Sequence, residues 1–460
     1  MDLFDPADSR PVHFMGIGGA GMSALALVAR RRGVAVSGCD PDPSGAQDVA
    51  ALGAEVVRGH DPSHVRGARA VVVTAAVPPS HPELEQARAL GVPVVPRKVA
   101  LAALVNGGTV VALAGTHGKS TTTVMTTEAL AAAGLDPTGL AGGRVNDWGG
   151  NARLGGDRLF VVEADEYDQA FLTLQPTVAV INNVEADHLE CYGSVAALEA
   201  AFATFGGRAR RVVIGADDPG AQRVAARLRE AGAAVWTFGL GGAADLRITE
   251  VSQGEAGSQA RVALPGREPI TLRLGVPGLH NLRNATGVLG AALALDAPLA
   301  PVLEALARYR GLGRRFERLG EARGIGFVDD YAHHPTELVA TLAAARQAFP
   351  GRRLVAVFQP HLFSRTAEHH GAMGAALTGA DLALVTAIYP AREQPMPGIT
   401  SQLVVDAAVA AGASVLHEPD QARLRERLLE LTRAGDVVIT LGAGDVTRVG
   451  RELLAWLQAA

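Results

Sequence analysis

The sequence has few of the residues that mark secreted or membrane proteins. Only two of its 460 residues are cysteines, and Cys39 and Cys191 lie too far apart to predict a disulfide framework or a metal-ligand spacing of cysteines. No apolar run approaches the ~18 residues that a transmembrane helix needs. The first residues, MDLFDPADSRPV, have no basic or apolar signal region. We therefore expect a cytoplasmic protein without a membrane partner.

A strong charge of one sign is also missing. The chain has 42 basic and 47 acidic residues, which gives a formal net charge of -5. This balance provides no electrostatic footprint for nucleic acid, so we expect no nucleic-acid partner. Any anionic ligand must be held by local groups. The content of hydrophobic residues is 48%, which is ample for several buried cores.

The chain is long enough for roughly three domains. Short β-branched runs alternate with alanine-rich helical stretches, which is typical of βαβ units and parallel sheets. We predict an α/β fold with a Rossmann-like N-terminal domain at 1–107, a central nucleotide-binding domain at 108–312 and a Rossmann-like C-terminal domain at 313–460. Short strands at about 245–275 predict a β appendage on the central domain. The arginine-rich segment 310–318 is predicted to be a solvated linker.

The first glycine-rich loop follows a predicted strand and opens a predicted helix. Gly16, Gly18 and Gly21 have G-x-G-x-x-G spacing, and Asp40 follows at about the distance from which an acidic residue reaches a ribose. Glycines let the backbone approach a pyrophosphate, and the helix N-terminus supplies N–H donors. The pattern favours a nucleotide diphosphate, and by itself it would fit a nicotinamide dehydrogenase. The remaining possibility is a tight turn without a ligand.

The second glycine-rich loop predicts binding of a nucleoside triphosphate. It reads G-T-H-G-K-S from Gly115 to Ser120, with Leu113 where a full P-loop has its first glycine. Lys119 would neutralise the β- and γ-phosphates, and the hydroxyls would bind Mg²⁺ or phosphate oxygens. The role of His117 stays open. The predicted contacts in this loop are Gly115, Thr116, His117, Gly118, Lys119, Ser120 and Thr121.

Candidate metal ligands follow two further predicted strands. EADEYD supplies four carboxylates, Glu163, Asp165, Glu166 and Asp168, and NNVEADHLE supplies Glu185, Asp187 and His188. Ligands bind at the carboxyl ends of strands in open α/β sheets. A carboxylate such as Glu163 suits Mg²⁺, a hard cation. For His188, ligand hardness alone leaves metal binding and a structural hydrogen bond equally open.

Eight motifs follow one another along almost the whole chain. In chain order they are HFMGIGGAGMSALA, GTHGKSTTT, EADEYD, NNVEADHLECY, GLHNLRNATG, RRFERLG, DDYAHHPTEL and FQPHLFSRT. Together they resemble the motifs of the Mur ligases of peptidoglycan synthesis, and among them the alanine-adding members. The GTHGK motif marks the family broadly, whereas GIGGAGM and DDYAHHPTE favour the alanine-adding branch.

The resemblance implies a reaction and its substrates. It implies ATP-dependent ligation of L-alanine to the lactyl carboxylate of UDP-N-acetylmuramate through an acyl phosphate, with ATP and Mg²⁺ as cofactors. The first glycine loop and Asp40 would then hold UDP, and NAD is not expected. A ligase that attaches a whole tripeptide to the same nucleotide is the alternative, and a nicotinamide-dependent dehydrogenase is a weaker one. We expect a monomer or a homodimer.

The resemblance also implies roles for single residues. Lys119 would contact the ATP phosphates, Ser120 and Glu163 would hold one Mg²⁺, and His188 would hold a second. Asn281 and Asp330 would contact adenosine and Arg315 would reach the nucleotide, although Asn281 could instead cap a helix and Arg315 could form a linker salt bridge. The predicted amino-acid-binding residues are His333, His334 and Arg365.

The chain departs from the family pattern at two positions, and at a third it follows the alanine-adding members. Many relatives have an arginine where this chain has Leu362, so Arg365 would recognise the amino-acid carboxylate largely alone, with His333 or His334. Ser120 replaces the commoner threonine and keeps the hydroxyl. Other Mur ligases have a carbamylated lysine at about this distance after His188, whereas this chain has no lysine there and Phe202 lies nearby, so that modification is not expected.

Overall fold

Three sheets with flanking helices form the protein in a computed structural model that describes residues 2–391 and 393–459. The chain divides into two compact units. The first consists of Met1–Glu250, Ala260–Leu272 and Arg283–Arg308, and the second of Val251–Gln259, Arg273–Leu282 and Tyr309–Ala460. The first unit contains the first sheet and most of the second, and the second unit contains the third sheet.

The first sheet has five parallel strands in the order β3-β2-β1-β4-β5. The order changes direction at β1, which places the loop after β1 at a switch point where ligands bind in doubly wound folds. Its strands are β1 (Val12–Met15), β2 (Val36–Asp40), β3 (Glu55–Arg58), β4 (Ala70–Val73) and β5 (Val94–Pro96). Its helices are α1 (Ala20–Arg31), α2 (Gln47–Ala51), α3 (Pro82–Ala89) and α4 (Arg97–Val105), with 3-10 turns at Pro43–Ala46 and Pro62–Val65.

The second sheet has ten strands in the order β15-β14-β13-β12-β11-β10-β6-β9-β7-β8. Its strands are β6 (Thr109–Ala114), β7 (Thr138–Val145), β8 (Gly150–Arg153), β9 (Leu159–Glu163), β10 (Val178–Ile181), β11 (Arg211–Gly215), β12 (Val235–Gly239), β13 (Leu246–Gly254), β14 (Gly257–Leu264) and β15 (Arg267–Leu274). Its helices are α5 (Lys119–Ala132), α6 (Leu189–Tyr192), α7 (Val195–Gly206), α8 (Pro219–Glu230), α9 (Leu279–Ala294) and α10 (Leu299–Arg308), with 3-10 segments at Asn146–Trp148 and Tyr167–Thr173.

The third sheet has six strands in the order β16-β17-β21-β18-β19-β20, and only β16 is antiparallel to its neighbour. Its strands are β16 (Glu317–Ala322), β17 (Ile325–Asp330), β18 (Arg353–Phe358), β19 (Leu382–Val385), β20 (Val415–His417) and β21 (Asp436–Leu441). Its helices are α11 (Pro335–Ala348), α12 (Phe363–Ala376), α13 (Gln402–Ala410), α14 (Gln421–Leu431) and α15 (Thr447–Ala459), with a 3-10 turn at Leu377–Gly379.

The central strands are apolar on both faces because helices cover both sides of each sheet. In β6 every residue after Thr109 is buried, and β17 and β21 are buried throughout. Among the described residues, none of the helices is long and apolar enough to cross a bilayer.

The structure confirms the three-domain α/β architecture, including the strands of the appendage at β13, β14 and β15. The prediction of a solvated linker at 310–318 was wrong in part, because Leu312 and Phe316 are only 6% and 7% exposed. Phe316 packs in the core of the second unit. An apolar ring within an arginine-rich segment gains more from burial than from solvation. The domain boundaries after residues 107 and 312 stay predictions.

Candidate active site

The first glycine loop lies between β1 and α1. Gly16 has a φ of 75°, which favours glycine, and an added Cβ at Gly18 would lie 2.5 Å from the carbonyl oxygen of Asp42. The Gly18 N–H donates a 3.0 Å hydrogen bond to Asp40 Oδ2, and the Asp42 N–H donates to Asp40 Oδ1 at 2.8 Å. The Asp40 carboxylate therefore supports the shape of the loop.

A cavity of about 300 Å³ lies next to this loop, within the first unit. One wall is formed by the start of α1, where a Cβ at Gly21 would lie 2.9 Å from Arg97 Nη1. Another wall contains Glu163, at the end of β9, and Gly142, within β7. The Arg97 side chain forms no hydrogen bond or ion pair with any described residue. The cavity thus joins a cationic group beside the glycine loop to a carboxylate of the second sheet.

The second glycine loop connects β6 to α5, and Lys119 is the first residue of that helix. Lys119 Nζ lies 2.8 Å from both carboxylate oxygens of Glu166 and 2.8 Å from the carbonyl oxygen of Gly115. The side chains of Lys119 and Glu166 are 15% and 2% exposed. Burial opposes charge on Lys119, but the Glu166 carboxylate raises the pKa of the ammonium above its usual value. Burial raises the pKa of Glu166, against the effect of Lys119.

Two asparagines at the end of β10 hold the second glycine loop in place. Asn183 Oδ1 accepts a 2.8 Å hydrogen bond from the His117 N–H, and Asn182 Nδ2 donates to Thr122 Oγ1 at 2.9 Å. The His117 ring lies 3.7 Å from a Glu185 carboxylate oxygen. The loop is therefore preorganised by backbone and amide contacts, which a phosphate cradle requires.

Glu163 ends β9 and is held by the backbone of β7. Its Oε2 accepts a 2.7 Å hydrogen bond from the Gly142 N–H, and a Cβ at Gly142 would lie 2.5 Å from Glu163 Oε1. Ser120 is 9% exposed, and its hydroxyl forms no hydrogen bond with another described residue. The carboxylate and the hydroxyl are oxygen donors, as Mg²⁺ prefers.

His188 lies seven residues after β10 and directly precedes α6 as its N-cap residue. Its φ is 53°, a left-handed conformation that is uncommon for residues other than glycine. Its N–H donates to Asp187 Oδ1 at 2.9 Å, and its Nδ1 lies 3.4 Å from a Glu190 carboxylate oxygen. The ring makes an edge contact with Tyr167 at 5.2 Å between centroids. The imidazole thus has carboxylates beside it, a setting compatible with a cation.

In the second unit, Asp330 ends β17 and is only 7% exposed. It accepts hydrogen bonds from the Phe316 N–H at 2.7 Å and the Ala332 N–H at 2.8 Å. Burial raises the pKa of Asp330 to about 6, although Arg315 and these two N–H groups oppose the shift. Arg315 lies over the Tyr331 ring, 5.0 Å from its centroid.

Asn281 lies in the first turn of α9, and its amide donates a 2.7 Å hydrogen bond to the carbonyl oxygen of Pro277. Its side chain therefore has a local structural partner, and contact with adenosine stays a prediction.

Two of the three predicted amino-acid-binding residues share one cluster in the second unit. Arg365 Nη1 lies 3.3 Å from His361 Nδ1, and the His361 and His333 rings meet at 5.7 Å between centroids. Burial, together with the neighbouring Arg365 guanidinium, lowers the pKa of both His333 and His361 to about 4. His334 instead is the N-cap residue of α11, and its Nδ1 accepts a 3.4 Å hydrogen bond from the Thr336 N–H.

Three family models match the chain in order. They describe the Mur ligase family catalytic domain at residues 11–109, the Mur ligase middle domain at 113–292 and the Mur ligase glutamate ligase domain at 314–444. Together they span both glycine loops and the cluster around Arg365. The chain belongs to the Mur ligase family.

Its relatives indicate the branch of that family. A UDP-N-acetylmuramate–L-alanine ligase of Cutibacterium acnes is 45% identical, over 100% of this chain and 98% of the relative. The ligase of the same name from Mycolicibacterium vanbaalenii is also 45% identical, over 99% of this chain and 98% of the relative. The crystal structure of the UDP-N-acetylmuramate–alanine ligase of Thermotoga maritima is similar with a TM-score of 0.83 and 29% identity, over 98% of this chain and 99% of that one.

Four residues of the site could not be assigned these positions from the sequence. Glu166 was one of four candidate carboxylates, and only the structure pairs it with Lys119. Arg97 and Gly142 belong to none of the motifs. Arg97 lies beside Gly21 and Gly142 lies beside Glu163, and each of these neighbours is distant along the chain. His361 precedes Leu362 in the FQPHLFSRT motif, and the sequence alone assigns it no role.

Proposed function

We propose that this protein ligates L-alanine to the lactyl carboxylate of UDP-N-acetylmuramate, with ATP as the energy source. The observation that carries the proposal is the cavity of about 300 Å³ whose walls include both Gly21, in the first glycine loop, and Glu163, at the end of β9. A nucleotide substrate bound at the loop would extend its carboxylate toward the phosphate-binding side of the second sheet. The names of the relatives supply the substrate identities.

Gly16, Gly18 and Gly21 would hold the UDP diphosphate, and Asp40 would maintain the loop. Arg97 would bind an anionic group of the substrate, since it faces the cavity and pairs with no described residue. A charge-assisted hydrogen bond of this kind contributes about 1.5–3 kcal/mol.

ATP would bind at the second glycine loop, with Lys119 on its terminal phosphates. The lactyl carboxylate would attack the γ-phosphorus and displace ADP, which gives an acyl phosphate. The neutral amine of alanine would then attack the acyl carbon, and the amide would form with loss of inorganic phosphate and of a proton from the amine. Catalysis of this kind depends on positioning and on offsetting negative charge. Lys119 would exchange part of its contact with Glu166 for phosphate oxygens.

The oxygen donors Ser120 and Glu163 fit Mg²⁺, and they would hold one ion that serves the ATP phosphates. His188 would hold a second Mg²⁺. An imidazole nitrogen is less suited to this ion than an oxygen donor, but the carboxylates of Asp187 and Glu190 beside the ring add negative charge. When bound, Mg²⁺ would offset the charge on the transferring phosphoryl group.

The second unit would supply the amino acid. Arg365 would bind the alanine carboxylate. His333 and His361 lie beside it and are uncharged near neutral pH, so they would not repel the ammonium group of the incoming alanine. His334 is a weaker candidate because it caps α11. Asp330, Asn281 and Arg315 stay proposed nucleotide contacts.

Phosphate release tests the proposal. Purified protein is incubated with ATP, Mg²⁺ and UDP-N-acetylmuramate, together with L-alanine, glycine or the L-Ala-γ-D-Glu-diaminopimelate tripeptide. We expect release that depends on both the nucleotide and L-alanine, and none from Lys119→Met. Release with the tripeptide alone would favour the recycling ligase. No release in any mixture, with NAD(H) turnover instead, would favour a dehydrogenase.

A further inference from the structure

The face of the first sheet opposite α1 carries a group of buried polar side chains that the proposed ligation does not use. His13 lies in β1 and Cys39 in β2, on the face that also presents Met15 to the core. His64 lies in the 3-10 turn after β3, and Glu83 in the first turn of α3. We call these four residues, His13, Cys39, His64 and Glu83, the mixed-ligand cluster.

The potential ligand atoms of the cluster converge. His13 Nε2 lies 3.4 Å from Cys39 Sγ, and Cys39 Sγ lies 3.4 Å from both Glu83 oxygens. His64 Nδ1 lies 2.9 Å from Glu83 Oε1. One atom from each residue lies within 4.8 Å of the others. A tetrahedral zinc ion, with bonds of about 2.0 Å to nitrogen or oxygen and about 2.3 Å to sulfur, separates its ligand atoms by about 3.3–3.6 Å. The observed separations run from 2.9 Å to at most 4.8 Å, so they bracket the range that zinc requires.

The mixed-ligand cluster contains ionisable side chains that are almost fully buried. Cys39 and Glu83 are 0% exposed and His13 is 1% exposed. In the described part of the chain, the ion-pair partners of Glu83 are His60 and His64, with no lysine or arginine. A buried carboxylate normally requires a cation or a metal. The His64 side chain is 21% exposed, which leaves a path from solvent to the ligands.

We propose that the mixed-ligand cluster is a structural zinc site of the first domain, separate from the Mg²⁺ ligands of the ligation site. Thiolate, imidazole and carboxylate are all zinc ligands, and a set of four without water is typical of structural sites. Binding displaces the Cys39 thiol proton to solvent, so the affinity falls as the pH is lowered. The ion would join β1, β2, the 3-10 turn Pro62–Val65 and α3.

His60 lies at the edge of the site. Its Nδ1 is 3.2 Å from Cys39 Sγ and 3.2 Å from Glu83 Oε2, and its ring contacts His81 at 4.9 Å between centroids. We assign it a supporting role, because the four ligands of the mixed-ligand cluster already complete a tetrahedron and His60 instead groups with His81 and Glu83. Replacing His60 should therefore weaken binding less than replacing His64.

Cobalt substitution tests the site in the full-length protein. Metal is removed with a chelator, and Co²⁺ is titrated without nucleotide. We expect one ion with the strong visible absorption of tetrahedral cobalt and a thiolate-to-cobalt charge-transfer band, both displaced by Zn²⁺. Cobalt bound at the ligation site would give no thiolate band, because that site offers oxygen and imidazole donors only.

Matched variants assign the thiolate. Cys39→Ser should lose the charge-transfer band, and Cys191→Ser, which changes the other cysteine, should keep it. His64→Ala should lower the Zn²⁺ affinity by more than about 100-fold, since even indirect ligand contacts contribute about 10- to 100-fold. Zn²⁺ should raise the melting temperature of the wild type and of Cys191→Ser.

The proposal is overturned if the wild-type protein binds Co²⁺ without a thiolate-to-cobalt band or does not bind it at all. The cluster is then a hydrogen-bonded network around Glu83. A band that persists in Cys39→Ser also overturns it. If Cys39→Ser does not fold, the wild-type titration and His64→Ala, whose side chain is partly exposed, decide the question alone. Phosphate release is not a readout here, so failure of the zinc site leaves the proposed ligation untouched.

Discussion

Removal of Lys119 should destabilise the first unit as well as abolish ligation, because Glu166 depends on it. The two side chains are 15% and 2% exposed, and Nζ lies 2.8 Å from both carboxylate oxygens. At that distance the attraction is about 6 kcal/mol with an effective dielectric constant of about 20. Removing one partner of a buried pair costs about 3–5 kcal/mol. We therefore expect Lys119→Met to lower the melting temperature of this unit by roughly 6–10 °C, at about 2 °C per kcal/mol.

The two single variants should differ. In Glu166→Met, Lys119 keeps its 2.8 Å hydrogen bond to the Gly115 carbonyl oxygen and some exposure to solvent, so the loss should be smaller. In Lys119→Met, the Glu166 carboxylate is left without a cation. Burial raises the pKa of Glu166, so the stability deficit should be smallest at low pH, where the carboxyl is protonated. The deficit should grow as the pH rises through that raised pKa.

The double variant separates folding from catalysis. Replacing both partners with methionine leaves no buried charge, which is often neutral or stabilising. Differential scanning fluorimetry of the four proteins gives the coupling, and phosphate release is measured in parallel. The double variant should recover most of the melting temperature while releasing no phosphate. The reasoning is refuted if Lys119→Met melts with the wild type, or if the double variant is no more stable than Lys119→Met.

Three further changes test the rest of the site. Gly142→Ala should lower kcat at least tenfold, because the added Cβ would lie 2.5 Å from Glu163 Oε1. The control variant Gly143→Ala has nothing within 4 Å of its Cβ, so its kcat should stay within about twofold of the wild type. Equal kcat values for the two variants would contradict this. Arg97→Met should raise KM for the UDP substrate roughly tenfold or more, and an unchanged KM would remove Arg97 from the substrate site. Burial raises the pKa of Asp330 from 3.8 to about 6, so protonation favours the folded state and this stabilisation is lost as the pH rises between those values. Asp330→Asn should therefore gain about 3 kcal/mol relative to wild type between about pH 4 and about pH 6 in urea unfolding, and parallel pH profiles would contradict the shift.

The two glycine loops could be predicted because their signals are local. In each, a buried strand is followed within a few residues by glycines and a helix, and the structure begins α1 at Ala20 and α5 at Lys119. The left-handed glycines Gly16 and Gly118 are at positions where other residues would be strained. Neither prediction required knowledge of which segments pack together.

The partners of these loops could not be predicted, because they come from segments that are distant along the chain. EADEYD offers four carboxylates to Lys119, and the choice of Glu166 depends on the path of the chain after β9. That path includes left-handed residues at Asp168 and Gln169, which no pattern in the sequence indicates. Arg97 lines the cavity from the start of α4, and its place beside the first glycine loop depends on how α4 packs against the first sheet.

The mixed-ligand cluster shows where reasoning from cysteine spacing stops. A zinc finger takes neighbouring ligands from one short segment, so its spacing is visible in the sequence. In a parallel sheet, each crossover returns the chain to the same face after some 20 residues or more, and alternate residues of adjacent strands lie side by side. His13 pairs in register with Ser37, two residues before Cys39, and the His13 side chain alternates with core residues such as Phe14. A site that takes two ligands from adjacent strands and two from later connections therefore has no spacing signal, and two distant cysteines do not exclude a thiolate–metal bond.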